Sequence, residues 1–172
     1  RDGCQAETVD SVCVTVQIDE CVHVAIEKTH GTYQGQHELV DILLQSSGKE
    51  IGGYDFLVQY DPSALQFSLA TPGDLLTGCG WEYFTYRHGA DGNCSACPTG
   101  LLRVVAIAET NNGANHPGCF LDGQTGVLAS LDFLVSNDRT LECQYVPIRF
   151  YWIDCGDNGV ASRLGDTLFI SR

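Results

Sequence analysis

IGGYDFLVQYDPSALQFSLATPGDLL, residues 51–76, is the stretch on which the fold turns. Within it GYDFLVQY puts Tyr54, Phe56, Val58 and Tyr60 on one side of an extended chain and Asp55, Leu57 and Gln59 on the other, because successive strand side chains point to opposite faces. A bulky apolar residue at every second position describes a strand with one face in a core. Asp61-Pro62-Ser63 then ends the run. Proline lacks a ladder donor, and Asp and Ser bond their own backbone in turns. A second extended run starts at Leu65.

The same period recurs on both sides of this stretch. Residues 126–135 alternate Val127, Ala129, Leu131, Phe133 and Val135 against Leu128, Ser130, Asp132 and Leu134. Further strand-like runs cover 12–18, 22–28, 38–44, 65–69, 81–86, 101–108, 145–152 and 167–171, separated by Gly, Asp, Asn, Ser and Pro clusters. No window of the roughly 11 residues that a helical stripe requires carries one between caps. The helix expectation is therefore limited to a turn at 62–65. Some ten short strands predict an all-β sandwich or jelly roll.

A chain of 172 residues fits one domain. Residues 1–20 stand apart as a cysteine-rich arm or extra strand, and residues 21–172 form the sandwich. Nine Lys and Arg against 22 Asp and Glu leave a formal charge of -13, which repels polyanions and excludes nucleic acid and anionic lipid surfaces as partners. No apolar run reaches the roughly 18 residues needed to insert in a membrane as a helix. Cysteines stand at Cys4, Cys13, Cys21, Cys79, Cys94, Cys97, Cys119, Cys143 and Cys155. That load predicts a disulfide-stapled domain in an oxidising, extracellular setting, secreted or at a cell surface. The odd number leaves a thiol that is free or pairs with another chain. The sequence begins at Arg1, has no methionine and no charged-then-apolar leader, so it reads as a processed or excised piece of a longer product.

Tyr60-Asp61-Pro62, Ala64-Leu65-Gln66-Phe67 and Pro72-Gly73-Asp74-Leu75-Leu76 follow one another in the order and spacing of a cohesin. Downstream, LLRVVAIAETNNGAN (101–115) resembles the cohesin strand that ends in Ala-Glu before a small-residue loop. GVLASLDFLVSND (126–138) resembles a later strand, and GDTLFI (165–170) takes the place of the last one. The chain thus resembles a cohesin over residues 21–171. The resemblance implies a jelly-roll β-sandwich, here of about nine to ten strands, with no catalytic activity. It implies a dockerin-like protein partner held on one sheet face by a hydrophobic patch with polar edges, with Asp55 and Glu109 as the partner-binding positions. Three features depart from the family: Gly52-Gly53 where it carries Asn, the cysteine load, and the WEYFTYRHGADGNCSACPTG insertion at 81–100.

His37-Glu38-Leu39-Val40-Asp41 begins like a zinc-protease helix, but Asp41 stands where the second His is required and the segment reads as a strand. Cys94-Ser95-Ala96-Cys97 with Cys79 and Cys119 lacks the second CxxC of a tetrathiolate site and reads as disulfides. The expected bridges are Cys143 with Cys155, and Cys79 with Cys94 or Cys97; Cys4, Cys13 and Cys21 are left unassigned. DCGDNG (154–159) is oxygen-rich but lacks calcium-loop spacing and reads as a turn. His23, His30, His37, His88 and His116 show no ligand spacing, so neither a metal nor another cofactor is expected. No nucleophile elbow, P-loop or dinucleotide glycine pattern is present, and no enzyme activity is expected. Trp81, Tyr83, Phe84, Tyr86 and Trp152 offer aromatic rings for sugar stacking. Asn93-Cys94-Ser95 is a glycosylation acceptor sequon.

Three functions follow from these readings. The first is a non-catalytic extracellular protein–protein interaction module. The second is a filament subunit assembled head to tail with copies of itself, in which Val12, Val14, Val16 and Ile18 of the arm add as a donor strand to a neighbour's sheet edge. The third is a carbohydrate-binding module.

Overall fold

The computed structural model describes residues 22–169 apart from 90, 91, 114 and 155. The arm residues Val12, Val14, Val16 and Ile18, and Cys4, Cys13, Cys21 and Cys155, lie outside that set. The described residues form strands β1 (Val22–Ile26), β2 (His37–Ser47), β3 (Ile51–Gln59), β4 (Leu65–Pro72), β5 (Tyr83–His88), β6 (Leu101–Ile107), β7 (Gly126–Val135), β8 (Arg149–Phe150), β9 (Gly159–Ser162) and β10 (Thr167–Phe169), with a helix α1 (Asp74–Cys79) between β4 and β5. They build two sheets, one ordered β1-β2-β7-β4 and the other β10-β9-β3-β6-β5. Short β8 joins the second sheet, on the edge of β3 that β9 occupies further along. All the pairings are antiparallel.

The core lies between the sheets and follows the alternation of the sequence. Val40, Ile42, Leu44, Leu131 and Phe133 from one sheet meet Tyr54, Phe56, Val58, Leu102, Val104 and Ala106 from the other in a single buried cluster. Tyr60 and Phe67 both pack edge-on against Phe133, with ring centroids at 5.2 and 5.6 Å. The Tyr54 hydroxyl donates to the Leu128 carbonyl at 3.0 Å, a polar tie across the sandwich that satisfies the one polar atom of an otherwise buried ring. Burial pushes the Tyr54 phenol far above its usual range, so it remains a donor.

Four of the pairings carry a register shift, and two of these bulges decide which residues reach the core beside the second sheet's face. On β7 the register passes from Ala129 opposite Ile42 to Val127 opposite Leu43, leaving Leu128 as an extra residue. Leu128 and Ala129 are consequently both buried, and Val127 is displaced from the inward face on which strict alternation places it. On β3 the extra residue is Gly52, between Ile51 opposite Ser162 and Gly53 opposite Ala161. Ile51 and Tyr54 thereby share the core face although three positions apart. A Cβ on Gly52 would lie 3.0 Å from the Arg163 Cα, so the close approach of β9 accounts for the Gly-Gly step.

Several expectations are corrected. Helix α1 is shorter than the window that a helical stripe needs. It ends at Gly80 in the left-handed region, φ 67°, as helix stops commonly do. Strand β9 was not anticipated, and the run expected over 145–152 contracts to β8, with Tyr145 exposed. Cys79 bonds Cys119, and Cys94 bonds Cys97. The pairing of Cys79 with Cys94 or Cys97 is therefore overturned: α1 turns Cys79 toward the segment that follows the β6 loop, while the Cys94–Cys97 turn closes on itself. Cys143 is a free, exposed thiol, which removes the Cys143–Cys155 bridge.

Candidate docking surface

The outer face of the second sheet carries the side chains that the core rejects. Strand β3 contributes Asp55, Leu57 and Gln59, β6 contributes Leu101, Arg103, Val105 and Ile107, and β5 contributes Tyr83, Thr85 and Arg87; the inward neighbours are buried on β3 and β6 and partly buried on β5, while Leu57 is covered on the outer side. Pairing aligns these residues in rows: Tyr83 beside Ile107, then Thr85 beside Val105 and Asp55, then Arg87 beside Arg103 and Leu57. Tyr83 and Ile107 remain 43% and 39% exposed. An apolar patch is thus bordered by guanidinium groups, with a shallow depression between Tyr83, Thr85, Arg87, Arg103 and Val105.

The charge distribution runs against that of the whole chain. Arg87, Arg103 and Arg149, three of only nine basic residues, stand on this sheet. Arg149 is fixed by two bonds to the Gln59 side-chain oxygen, at 3.0 and 2.8 Å. Arg103 donates to Asp55 through Nε and to Asp157 through Nη2, both at 2.7 Å. The Asp157 side chain is almost fully buried, and its second oxygen accepts the Ile153 and Asp154 N–H groups. Residues 156–158 of the oxygen-rich segment are therefore a turn, and the buried Asp157 carboxylate within it is neutralised by Arg103.

Asp55 and Glu109 occupy different parts of this face. Asp55 is central on β3, opposite Val105, and is held by Arg103. Glu109 lies past the end of β6, two residues after Ile107. It accepts the Asn111 N–H at 2.8 Å and lies 2.6 Å from His116 Nδ1. The hydrogen bond from His116 holds the Glu109 carboxyl below its usual range, and the same bond raises the imidazole. Two separate groups are not legible in the sequence, the Arg103–Asp157 pair and the cluster of Glu82, Glu109 and His116, since strand pairing and loop folding bring their members together; the apolar positions of β6 are legible from alternation.

The remaining candidate sites resolve as follows. His37 and Asp41 lie on β2, where His37 Nδ1 meets Asp132 at 2.6 Å and Asp41 accepts the Ser130 hydroxyl at 2.6 Å; the HELVD segment is a strand, as its pattern suggests. Of the five aromatic residues considered for a sugar platform, Trp81, Phe84, Tyr86 and Trp152 pack against the core and Tyr83 is exposed. The Asn93 side chain is exposed but engaged, donating to the Tyr86 carbonyl at 2.7 Å and accepting the His88 N–H at 3.1 Å. A groove of about 710 Å³ runs beside β1 and β2 and is lined in part by Ile26, Val40, Phe133, Cys143 and Tyr145.

Comparison with known proteins places this architecture. No protein-family model matches the chain, and no curated protein matches it. Solved structures do. The cohesin of a type I cohesin–dockerin complex from Clostridium thermocellum superposes with a TM-score of 0.64 at 18% identity, covering 87% of this chain and 92% of that one. The sixth cohesin of Acetivibrio cellulolyticus scaffoldin B, in complex with a Cel5 dockerin, gives 0.63 at 18% identity with the same coverage. A type II cohesin from the A. cellulolyticus cellulosome gives 0.58 at 17% identity, covering 88% of both chains. Both cohesin types thus share the two-sheet arrangement described above, and the chain has a cohesin-like fold.

Proposed function

We propose that this chain is a non-catalytic docking module that binds a dockerin-type protein partner on the outer face of the β3-β6-β5 sheet. The observation that carries the reading is the composition of that face. Tyr83, Val105 and Ile107 form an apolar centre, and a chain of net charge -13 places three arginines on the same sheet. Apolar anchors within a polar rim are what a specific interface uses. Arg87 at the rim directs partner choice toward acidic or carbonyl-rich surfaces, whereas Arg103 is already paired with Asp55 and Asp157. The module functions outside the cell, where Cys79–Cys119 and Cys94–Cys97 persist. Asp55 contributes by fixing Arg103 rather than as a free carboxylate.

The test is a binding screen of the chain against a dockerin array. A binder whose affinity falls at least tenfold with Val105→Asp, while the circular dichroism is unchanged, supports the reading. Binding that Val105→Asp and Ile107→Asp both leave intact contradicts it.

A second reading, assembly with copies of itself, rests on a different observation. β1 pairs with β2 alone among the described strands, and the groove beside it carries the free thiol of Cys143. An arm with alternating Val12, Val14, Val16 and Ile18 and two cysteines, Cys4 and Cys13, supplies both a strand for that edge and a thiol for that groove. Covalent ladders on non-reducing gels that vanish with Cys143→Ser and with deletion of residues 1–20 support it. Monomers under oxidising conditions contradict it.

A further inference from the structure

At the rim of the β5-β6 ladder, outside the patch assigned to docking, one carboxylate oxygen of Glu82, one of Glu109 and an imidazole nitrogen of His116 lie within 4.8 Å of one another. Glu82 immediately precedes β5 and its N–H donates to the Ala108 carbonyl, so the two glutamates flank the same end of the ladder. His116 returns from the loop that follows β6. The far end of that loop is fixed by the Cys79–Cys119 bond and by the Gly118 N–H donating to the Cys79 carbonyl at 2.6 Å.

The carboxylates are oriented by groups that take only part of their bonding capacity. Glu82 Oε2 accepts three bonds: from the Thr110 N–H at 2.8 Å, the Thr110 hydroxyl at 2.5 Å and the Asn112 amide at 3.0 Å. Its other oxygen, Oε1, is buried and has no hydrogen-bond partner. Glu109 likewise has one oxygen on the Asn111 N–H and the other turned to His116. A buried carboxylate oxygen without a donor is costly, and a cation removes that cost where no donor is in reach. We infer that Glu82, Glu109 and His116 form a binding site for a divalent transition ion of the zinc type, which ties the loop after β6 to the start of β5.

The donor set selects the ion. Two carboxylates and an imidazole suit zinc and its first-row neighbours, whereas calcium and magnesium favour oxygen ligands throughout. Three protein ligands leave a coordination position for water, and His116 faces solvent with 68% of its side chain exposed. The bonds from Thr110, Asn112 and Asn111 are the outer contacts that hold such ligands in place.

The experiment is a calorimetric titration of zinc chloride into the full chain, disulfides intact and carrying Cys143→Ser so that the exposed thiol takes no metal. The expected result is one equivalent of zinc bound, with affinity reduced at least about tenfold by His116→Ala and by Glu82→Gln, and a thermal stabilisation by zinc that calcium does not match. His116→Ala alters an exposed loop residue and Glu82→Gln preserves shape, so both variants are expected to fold; circular dichroism checks this. Absence of binding at millimolar zinc, affinity within twofold of the parent in either variant, or equal stabilisation by calcium would each overturn the assignment.

Discussion

The side chain of Asn158 stands in for a missing strand: its carbonyl oxygen accepts the Leu57 N–H at 2.8 Å, and its amide donates to the Tyr151 carbonyl at 2.8 Å. Leu57 falls between the stretch of β3 paired with β9 and the stretch paired with β8, so without Asn158 a buried donor in the middle of the sheet would be unpaired. Asn158 itself is buried and has φ 58°, a conformation that Asn tolerates better than most residues. Sheet continuity behind the proposed docking face thus depends on a residue of the turn that precedes β9.

Asn158→Ala removes both bonds and places Ala in the left-handed region. We expect a loss of about 2–4 kcal/mol in urea unfolding, with faster hydrogen exchange at the Leu57 amide than at its β3 neighbours. An unchanged Leu57 exchange rate would show that the amide has another partner.

The two disulfides differ in the length of chain they close. Cys79–Cys119 spans 40 residues and Cys94–Cys97 spans three. Loop entropy assigns about 4 kcal/mol to the first and about 1.5 to the second. The double Ser variant of the first pair should therefore melt well below that of the second by scanning calorimetry. The reverse order would mean that native contacts of the insertion, not chain closure, set the stability.

Gly73 packs against β7 at a distance that admits no side chain: a Cβ there would lie 2.1 Å from the Val127 carbonyl oxygen. Its N–H also donates to the Leu128 carbonyl at 2.9 Å. Gly73→Ala must therefore push α1 away from β7. A clear drop in melting temperature is expected, larger than that of Gly78→Ala, where a Cβ meets nothing.

Asp61 accepts both the Ser63 N–H and its hydroxyl, at 2.9 and 2.7 Å, and these bonds, the hydroxyl first, lower its carboxyl pKa. A carboxyl depressed in the folded state stabilises the turn above its unfolded value, and that contribution disappears as pH falls through the depressed one. Ser63→Ala should raise the Asp61 pKa toward the ordinary range, read by carboxyl carbon shifts in an NMR titration. An identical titration in both proteins would place the turn's stability elsewhere.

How much of this was legible in the sequence depended on whether a signal was local. Tyr54, Phe56 and Val58 announce β3 by alternation alone, and the residues from Tyr60 to Leu76 carry the family likeness in order. The bulges at Gly52 and Leu128 escape, because an extra residue shows only once a partner strand is aligned. Helix α1 is a six-residue segment, too short for its period to register. The Arg103–Asp157 and Glu109–His116 contacts join residues whose proximity is created by β3 pairing and by the Cys79–Cys119 bond. Asp55 and Glu109 came from resemblance, and the fold gives each a fixed neighbour that the motif does not mention.

The central claim concerns which face binds. The most direct measurement is NMR chemical-shift mapping of the isotope-labelled chain on addition of a dockerin that it binds. The account predicts that the largest shifts fall on Tyr83, Thr85, Arg87, Val105 and Ile107, with Ile26, Val40 and Tyr145 across the sandwich unaffected. Shifts confined to the groove beside β1, with the β5-β6 face silent, would contradict it.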